Sequence, residues 1–273
     1  MKHVTERIIH LPFYTEGPCM DSNGTIYCTT LSGGNILQFN NTNVPHIWAK
    51  SVCPNGQYIS RVDEHFVCDS KSATINRYNS KGNFLKTEMN GKCNGSKVYC
   101  PNDLLVDSTG GIYFTDSIRQ DGKVGYISAD GIEKIVLSGL EYPNGLVLSQ
   151  DEKFLYVAES YRNRILIAAL KSPGASEGYD VFTDLPSHNS GNEIDNLPDG
   201  LALDANGRLW VAHYGMQALQ IISRQGVVID SIAIPFPLVS NVFIENSILP
   251  KVLVTGGYAE PGPGALVVLS CLE

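Results

Sequence analysis

The sequence predicts an all-β chain, a single six-bladed β-propeller over residues 1–273, with four-stranded blades and the last blade closed by the N-terminal strand. Three observations predict it. One short pattern recurs six times, at spacings of roughly 40 to 55 residues. Apolar and polar residues alternate at period two, and no stretch carries a helical period. The sixth copy reaches Glu273 without room for a fourth strand, while an unassigned strand signal, Arg7–Leu11, stands before the first copy. A four-stranded sheet with two apolar faces buries both only by stacking on neighbours. A borrowed N-terminal strand then closes the ring and protects an edge. A pair of β-sandwiches and a seven-bladed ring fit a count of six less well.

Each copy is a turn, a short apolar strand, a polar turn and a second strand, which usually carries an aromatic. The first is TEGPCMDSNGTIYCTT from Thr15, followed by strand signals at Asn35–Phe39 and Val44–Ala49. PNGQYISRVDEHFVCDS from Pro54 precedes Thr74–Tyr78 and Phe84–Met89. PNDLLVDSTGGIYFTDS from Pro101 precedes Val124–Ser128 and Glu133–Leu137. PNGLVLSQDEKFLYVAES from Pro143 precedes Arg164–Leu170 and Tyr179–Thr183. PDGLALDANGRLWVAH from Pro198 precedes Ala218–Ser223 and Val227–Ile234. The last, VSNVFIENSILPKVLVTGG from Val239, precedes only Ala265–Leu269.

In a propeller the first strand of each blade lines the central channel. One position at the head of that strand therefore forms a ring: Glu16, Asn55, Asn102, Asn144, Asp199 and Asn241. Any single Pro-Asn-Gly is an ordinary turn. Turn chemistry does not explain Glu16, nor the same slot in all six copies. The two anions, Glu16 and Asp199, repel unless a positive charge lies between them. Oxygen-only donors suit Ca²⁺, whereas Zn²⁺ normally recruits His or Cys; Zn²⁺, Mn²⁺ and Mg²⁺ are the alternatives.

Hydrophobic residues make up 43% of the chain, enough for a large core, and the formal net charge is −8. No Lys/Arg cluster of the density a polyanion needs is present, so no nucleic-acid partner is expected. No apolar run is long enough to span a membrane as a helix. The start, MKHVTERIIHLPF, lacks the apolar stretch of a signal peptide, which predicts a cytoplasmic protein. Sequons at Asn23, Asn40 and Asn94 keep secretion, with a leader removed, as the alternative. Seven cysteines cannot all pair internally. Cys28 and Cys68 read as buried thiols, and Cys93 with Cys100 as a bridge only in a secreted protein. A monomer or weak homo-oligomer is expected.

Taken in order, TEGP, PND…YFTD, PNG…LYVAES and PDGLALDANGRLWVAHYG resemble the gluconolactonase family over nearly the whole chain. That family includes senescence marker protein (regucalcin) and is related to diisopropylfluorophosphatase. The resemblance implies a six-bladed propeller with a divalent metal, often Ca²⁺, in its channel. It implies hydrolysis of sugar lactones or other lactones, or of organophosphates in some members. By position it makes Glu16, Asn144 and Asp199 metal ligands, Asn102 a metal or substrate contact, and Asp199 the general base. One departure stands out. Sugar-lactonase relatives often carry Arg two residues before that Asn, and here the residue is Cys100, which favours a less polar lactone.

The chemistry follows from the residues as well. A cation polarises an ester carbonyl, and a carboxylate beside it takes a proton from water or attacks directly. His213 is a candidate acid for the leaving alkoxide, or else a hydrogen-bonding group at a strand end. Asp116 is a candidate channel residue or a turn cap. Tyr161, Tyr214 and Tyr258 are candidate pocket walls, and Leu185–Asn196 is a candidate lid. No Gly-x-Ser-x-Gly elbow and no nucleotide loop appear. Two rivals to a small-molecule lactonase remain: a phosphotriester or other ester hydrolase on the same metal, and a propeller that only binds.

Overall fold

The computed structural model describes residues 3–40, 44–245, 247 and 249–271. The sequon at Asn40 therefore runs into residues outside the described set. Six antiparallel sheets are arranged as a six-bladed propeller with four principal strands per blade. Blades 1 to 5 run in order from inner to outer strand. They begin at Thr15–Met20, Pro54–Ile59, Pro101–Val106, Pro143–Leu148 and Leu197–Leu203. Blade 6 takes its inner three strands, Leu238–Ile244, Lys251–Gly257 and Gly264–Cys271, from the end of the chain and its outer strand, His3–Leu11, from the start.

Several predicted strands fall on the observed ones. Asn35–Phe39 and Thr74–Tyr78 agree at both ends. The outer strand of blade 1 starts at His46, two residues beyond the expected Val44. Other strands run longer than their apolar signal, because backbone pairing continues past the last apolar side chain. Arg164–Ser172 and the closing strand His3–Leu11 are examples. Two short hairpin ladders lie outside the repeat, Lys92–Cys93 with Ser96–Lys97 before blade 3, and Leu170 and Ser172 with Ala175–Ser176 in blade 4. Among the described residues helix is confined to two 3₁₀ turns, Ser160–Arg162 and Glu193–Asp195. Among the described residues no helix is long and apolar enough to cross a membrane.

The core is divided as the stacking argument requires. Each pair of neighbouring blades encloses one apolar cluster, such as Tyr113, Tyr126, Leu155 and Leu166 between blades 3 and 4. Ile9 and Leu11 of the closing strand pack with Ile26, Cys28 and Leu266 between blades 6 and 1. Register on Gly264–Cys271 is continuous from Ile9↔Leu266 to Leu11↔Gly264. Leu11 is 4% exposed. Leu11→Ala is expected to lower unfolding free energy by about 2–5 kcal/mol, read by urea denaturation. A loss below about 1 kcal/mol would show that the ring does not depend on this closure. All seven cysteines are free thiols, with Cys28 and Cys68 fully buried as expected. Cys93 is not bridged to Cys100; its thiol faces the carbonyls of Tyr126 and Lys134 in blade 3.

Candidate active site

The inner strand of every blade is interrupted at the same place. In blade 2, Pro54 pairs with Asp69 and Gln57 with Val67, so one extra residue is taken up between them. The same shift occurs at Pro101/Leu104, Pro143/Leu146 and Pro198/Leu201, and in blade 1 at Glu16/Cys19. Such a bulge re-aims one side chain. Here it turns the residue after the proline, or after Thr15 in blade 1, toward the axis. Glu16, Asn55, Asn102, Asn144 and Asp199 consequently line one cavity of about 250 Å³ at the channel mouth. None of the five is more than 8% exposed.

Blade 6 departs from the expected ring. Val239 pairs with Gly256 and Asn241 with Thr255, so Ser240 occupies the bulge and Asn241 lies one position beyond it. Ser240 Oγ donates to the carbonyl of Thr15 at 2.8 Å, and neither residue lines the cavity. Blade 6 has no proline before its slot, so choosing the position by its amide side chain shifted the assignment by one residue. Asn241 instead shares the register of Gly17, Gly56, Gly145 and Gly200. The only other side chain in that register is Asp103, a residue the sequence reading missed. Its signal was present: copy three reads Pro-Asn-Asp where copies two and four read Pro-Asn-Gly. A Cβ on Gly56 would overlap the Asp103 carboxylate, and one on Gly200 the Asn241 amide. Glycine leaves the room into which these two side chains extend.

The carboxylates are strongly perturbed. Burial pushes Glu16 up to about 8, reinforced by the charge of Asp103 and opposed by the Gly17 N–H. Burial, then Glu16 and then Asp103, raise Asp199 well above the usual carboxylate range, against a hydrogen bond from Asn144. Asp103 is pushed up to about 7, again chiefly by burial, and is held back by the Leu104 N–H and Asn241. None of the residues lining the cavity is Lys, Arg or His. The Oδ1 of Asn55, also in the wall, is buried without a hydrogen-bond partner. Among the described residues no three His, Cys, Asp or Glu side chains come together in metal-ligand geometry. The donors here are mixed, two carboxylates and three amides.

A second repeated device fixes the slot residues. The residue paired with the slot proline fastens the chain arriving from the previous blade. Asp69 accepts the N–H groups of Val52 and Cys53, Asp116 those of Tyr99 and Cys100, and Glu159 that of Glu141. Asp116 is thus a brace rather than a channel residue, with its second oxygen unpartnered. His213 stands at the same register in blade 5, opposite Pro198. It is fully buried outside the cavity, with Nε2 3.0 Å from Asn163 Oδ1. Burial lowers its pKa to about 4, against a backbone hydrogen bond at Asn196. It is therefore neutral near pH 7 and is not brought to the ring.

The next residue adds a latch. Ser70, Ser117 and Ser160 donate to the carbonyls of Pro101, Pro143 and Pro198, the residues immediately before Asn102, Asn144 and Asp199. Each slot is therefore oriented by the blade before it. The recurring Asp/Glu-Ser at the ends of VCDS, FTDS and VAES was the visible signal.

The walls are aromatic. Tyr161 and Tyr214 line the cavity as expected, joined by Tyr14 and Tyr142, which the sequence reading did not single out. Tyr258 lies outside it, stacked on His10 with centroids 5.9 Å apart. Cys100 is likewise not part of the lining. The Leu185–Asn196 segment overhangs the cavity through Ile194, next to Leu197. Asn163 Nδ2 holds its start at the Leu185 and Pro186 carbonyls.

Comparison with known proteins agrees with this architecture. Residues 14–255 match the model of the SMP-30/gluconolactonase/LRE-like region. The chain is 29% identical to lactonase drp35 of Staphylococcus aureus over 235 residues, covering 81% of this chain and 69% of the relative. A gluconolactonase of Xanthomonas campestris superposes with a TM-score of 0.81 at 22% identity, over 96% of this chain and 87% of that one. Regucalcin of Agrobacterium tumefaciens, a calcium-binding protein, superposes at 0.74 and 18% identity, over 94% and 90%. The chain belongs to the SMP-30/gluconolactonase/LRE-like family.

Proposed function

We propose that this chain is a metal-dependent lactonase, with Glu16, Asn144 and Asp199 holding a divalent cation, Ca²⁺ in the first place, and Asn102 completing the shell or orienting substrate. One observation carries the reading. Two buried carboxylates, Glu16 and Asp199, share a cavity that has no basic residue in its wall, and burial and then the charge of Glu16 raise the pKa of Asp199. Burying charge without a partner is costly, and a hard cation with oxygen donors removes that cost. The unpartnered Asn55 Oδ1 fits the same occupant. Support also comes from the relatives, one a lactonase and one a calcium-binding protein.

When bound, the cation supplies Lewis-acid polarisation of a carbonyl. The remaining work belongs to the chain. Asp199 stands at the cavity floor as an anion once the charge repulsion is relieved, and takes the proton of the attacking water. Asn102 and Asn144 present amides whose positions are set by the Ser70 and Ser117 latches. The tyrosines and Ile194 restrict water and bound the substrate. His213 is buried outside the cavity with Nε2 on Asn163 Oδ1, so it takes no part in proton transfer in this reading.

Hydrolysis of a lactone series, differing in ring size and hydroxylation, tests this. Turnover is expected with Ca²⁺ and is expected to disappear with chelator. Phosphotriester turnover without lactone turnover would assign the same site to the rival hydrolase. Calcium-independent lactone turnover would contradict the metal.

A further inference from the structure

The recess above the ring has a composition that the proposed reaction does not require. Its wall contains Tyr14, Tyr142, Tyr161 and Tyr214, and its rim contains Glu260. The rings form two edge-to-face pairs, Tyr14 with Tyr214 at 6.4 Å and Tyr142 with Tyr161 at 5.5 Å. Tyr214 donates its hydroxyl to Glu260 Oε1 at 2.9 Å, which fixes that carboxylate over the aromatic wall. The loop carrying Glu260 is tied down as well, since the Tyr14 N–H donates to the Pro261 carbonyl at 2.9 Å.

Charge points the same way. A divalent ion on the floor would be matched by Glu16 and Asp199, leaving Asp103 below and Glu260 at the rim as excess negative charge. A guanidinium does lie nearby. Arg119 stacks on Tyr161 at 3.9 Å, but it is outside the lining and paired with Glu141 and Glu193. No cation is therefore left in the wall to receive an anionic substrate. An independent sign of a missing ligand is the hydroxyl of Tyr14. It belongs to a residue only 2% exposed, in the cavity wall, and has no hydrogen-bond partner.

We propose that this recess is a cation-recognition subsite, in which the tyrosine wall and Glu260 select a small ester or lactone carrying a quaternary or protonated ammonium group. Aromatic faces attract such a group through their quadrupoles, most strongly where water is excluded. An adjacent carboxylate adds direct charge complementarity. At about 250 Å³ the cavity takes a small substrate, below the size of common drug-ligand pockets. The proposal rests on the lactonase reading for the bond that is cleaved, though not for the binding of the cation.

Three γ-butyrolactones matched in size separate the alternatives, bearing a trimethylammoniomethyl group, its neutral neopentyl isostere, or a carboxymethyl group. With calcium-loaded protein, kcat/KM is expected to favour the ammonium lactone over the neopentyl one by about tenfold, with the carboxylate last. In Glu260→Gln that ratio is expected to fall toward one. Equal kcat/KM for the charged and neutral lactones, or a ratio that Glu260→Gln leaves unchanged, would overturn the subsite. If no lactone turns over, the lactonase reading fails, and calorimetric binding of benzyltrimethylammonium decides this proposal alone. Binding that weakens in Glu260→Gln supports it, and absence of binding overturns it.

Discussion

Asp199→Asn is expected to lower lactone kcat by about 10²–10⁴-fold, the range of a lost general base, while the metal-free protein becomes more stable. The amide keeps the shape of the side chain and the bulge that aims it. It removes the negative charge that burial and Glu16 both oppose. Without metal, a buried anion beside another anion is a liability, so its neutral isostere relieves repulsion. Thermal unfolding with chelator present and lactone hydrolysis with Ca²⁺ present should thus move in opposite directions. A variant that loses both would be misfolded. A variant that keeps full turnover would remove Asp199 from proton transfer.

The second large effect is the response of stability to calcium and pH. Glu16 is pushed up to about 8 and Asp103 to about 7, and Asp199 is raised too. A folded-state pKa above the unfolded value contributes stability that is full below the unfolded pKa and is lost as pH rises through the folded one. The metal-free protein is therefore expected to lose stability from about pH 4 to pH 8. Calcium is expected to bind the ionised carboxylates, so its contribution should grow over the same window. At about a hundredfold excess over Kd it is worth about 2.7 kcal/mol, or about 5–11 °C in Tm for a chain of this size. Scanning calorimetry at pH 5 and pH 8, with calcium or chelator, measures the gap between the two curves. A gap that is absent at both values, or larger at pH 5, contradicts ionised carboxylates as ligands.

Much of the architecture was legible because a propeller repeats. Six copies of one pattern revealed the blade count, and the leftover Arg7–Leu11 revealed the closure. The ring was legible in five of its positions for the same reason: Glu16, Asn55, Asn102, Asn144 and Asp199 recur in one slot. Asn241 was misplaced because register, not residue type, defines the slot, and register depends on a bulge that only the pairing with Lys251–Gly257 reveals. His213 and Asp116 looked functional because a buried polar residue beside a site motif looks alike whether it reacts or braces. What separates the roles is the direction of the side chain, in Asp116 toward the arriving backbone of the previous blade and in His213 toward Asn163, outside the cavity. Tyr14, Tyr142 and Glu260 were hidden for a different reason. They lie outside the repeated motif and reach the cavity only through the way blades 6, 1 and 4 meet at its mouth.

In the proposed reading, oxygen-bearing side chains far apart in sequence share one bound cation at the hub. A crystal structure of the protein grown with Mn²⁺, with the ion located by its anomalous scattering, tests this most directly. One strong peak is expected on the channel axis within bonding distance of Glu16, Asn144 and Asp199, absent from Asp199→Asn crystals. A peak elsewhere on the molecule, or an axis without one while these three side chains turn apart, would contradict it.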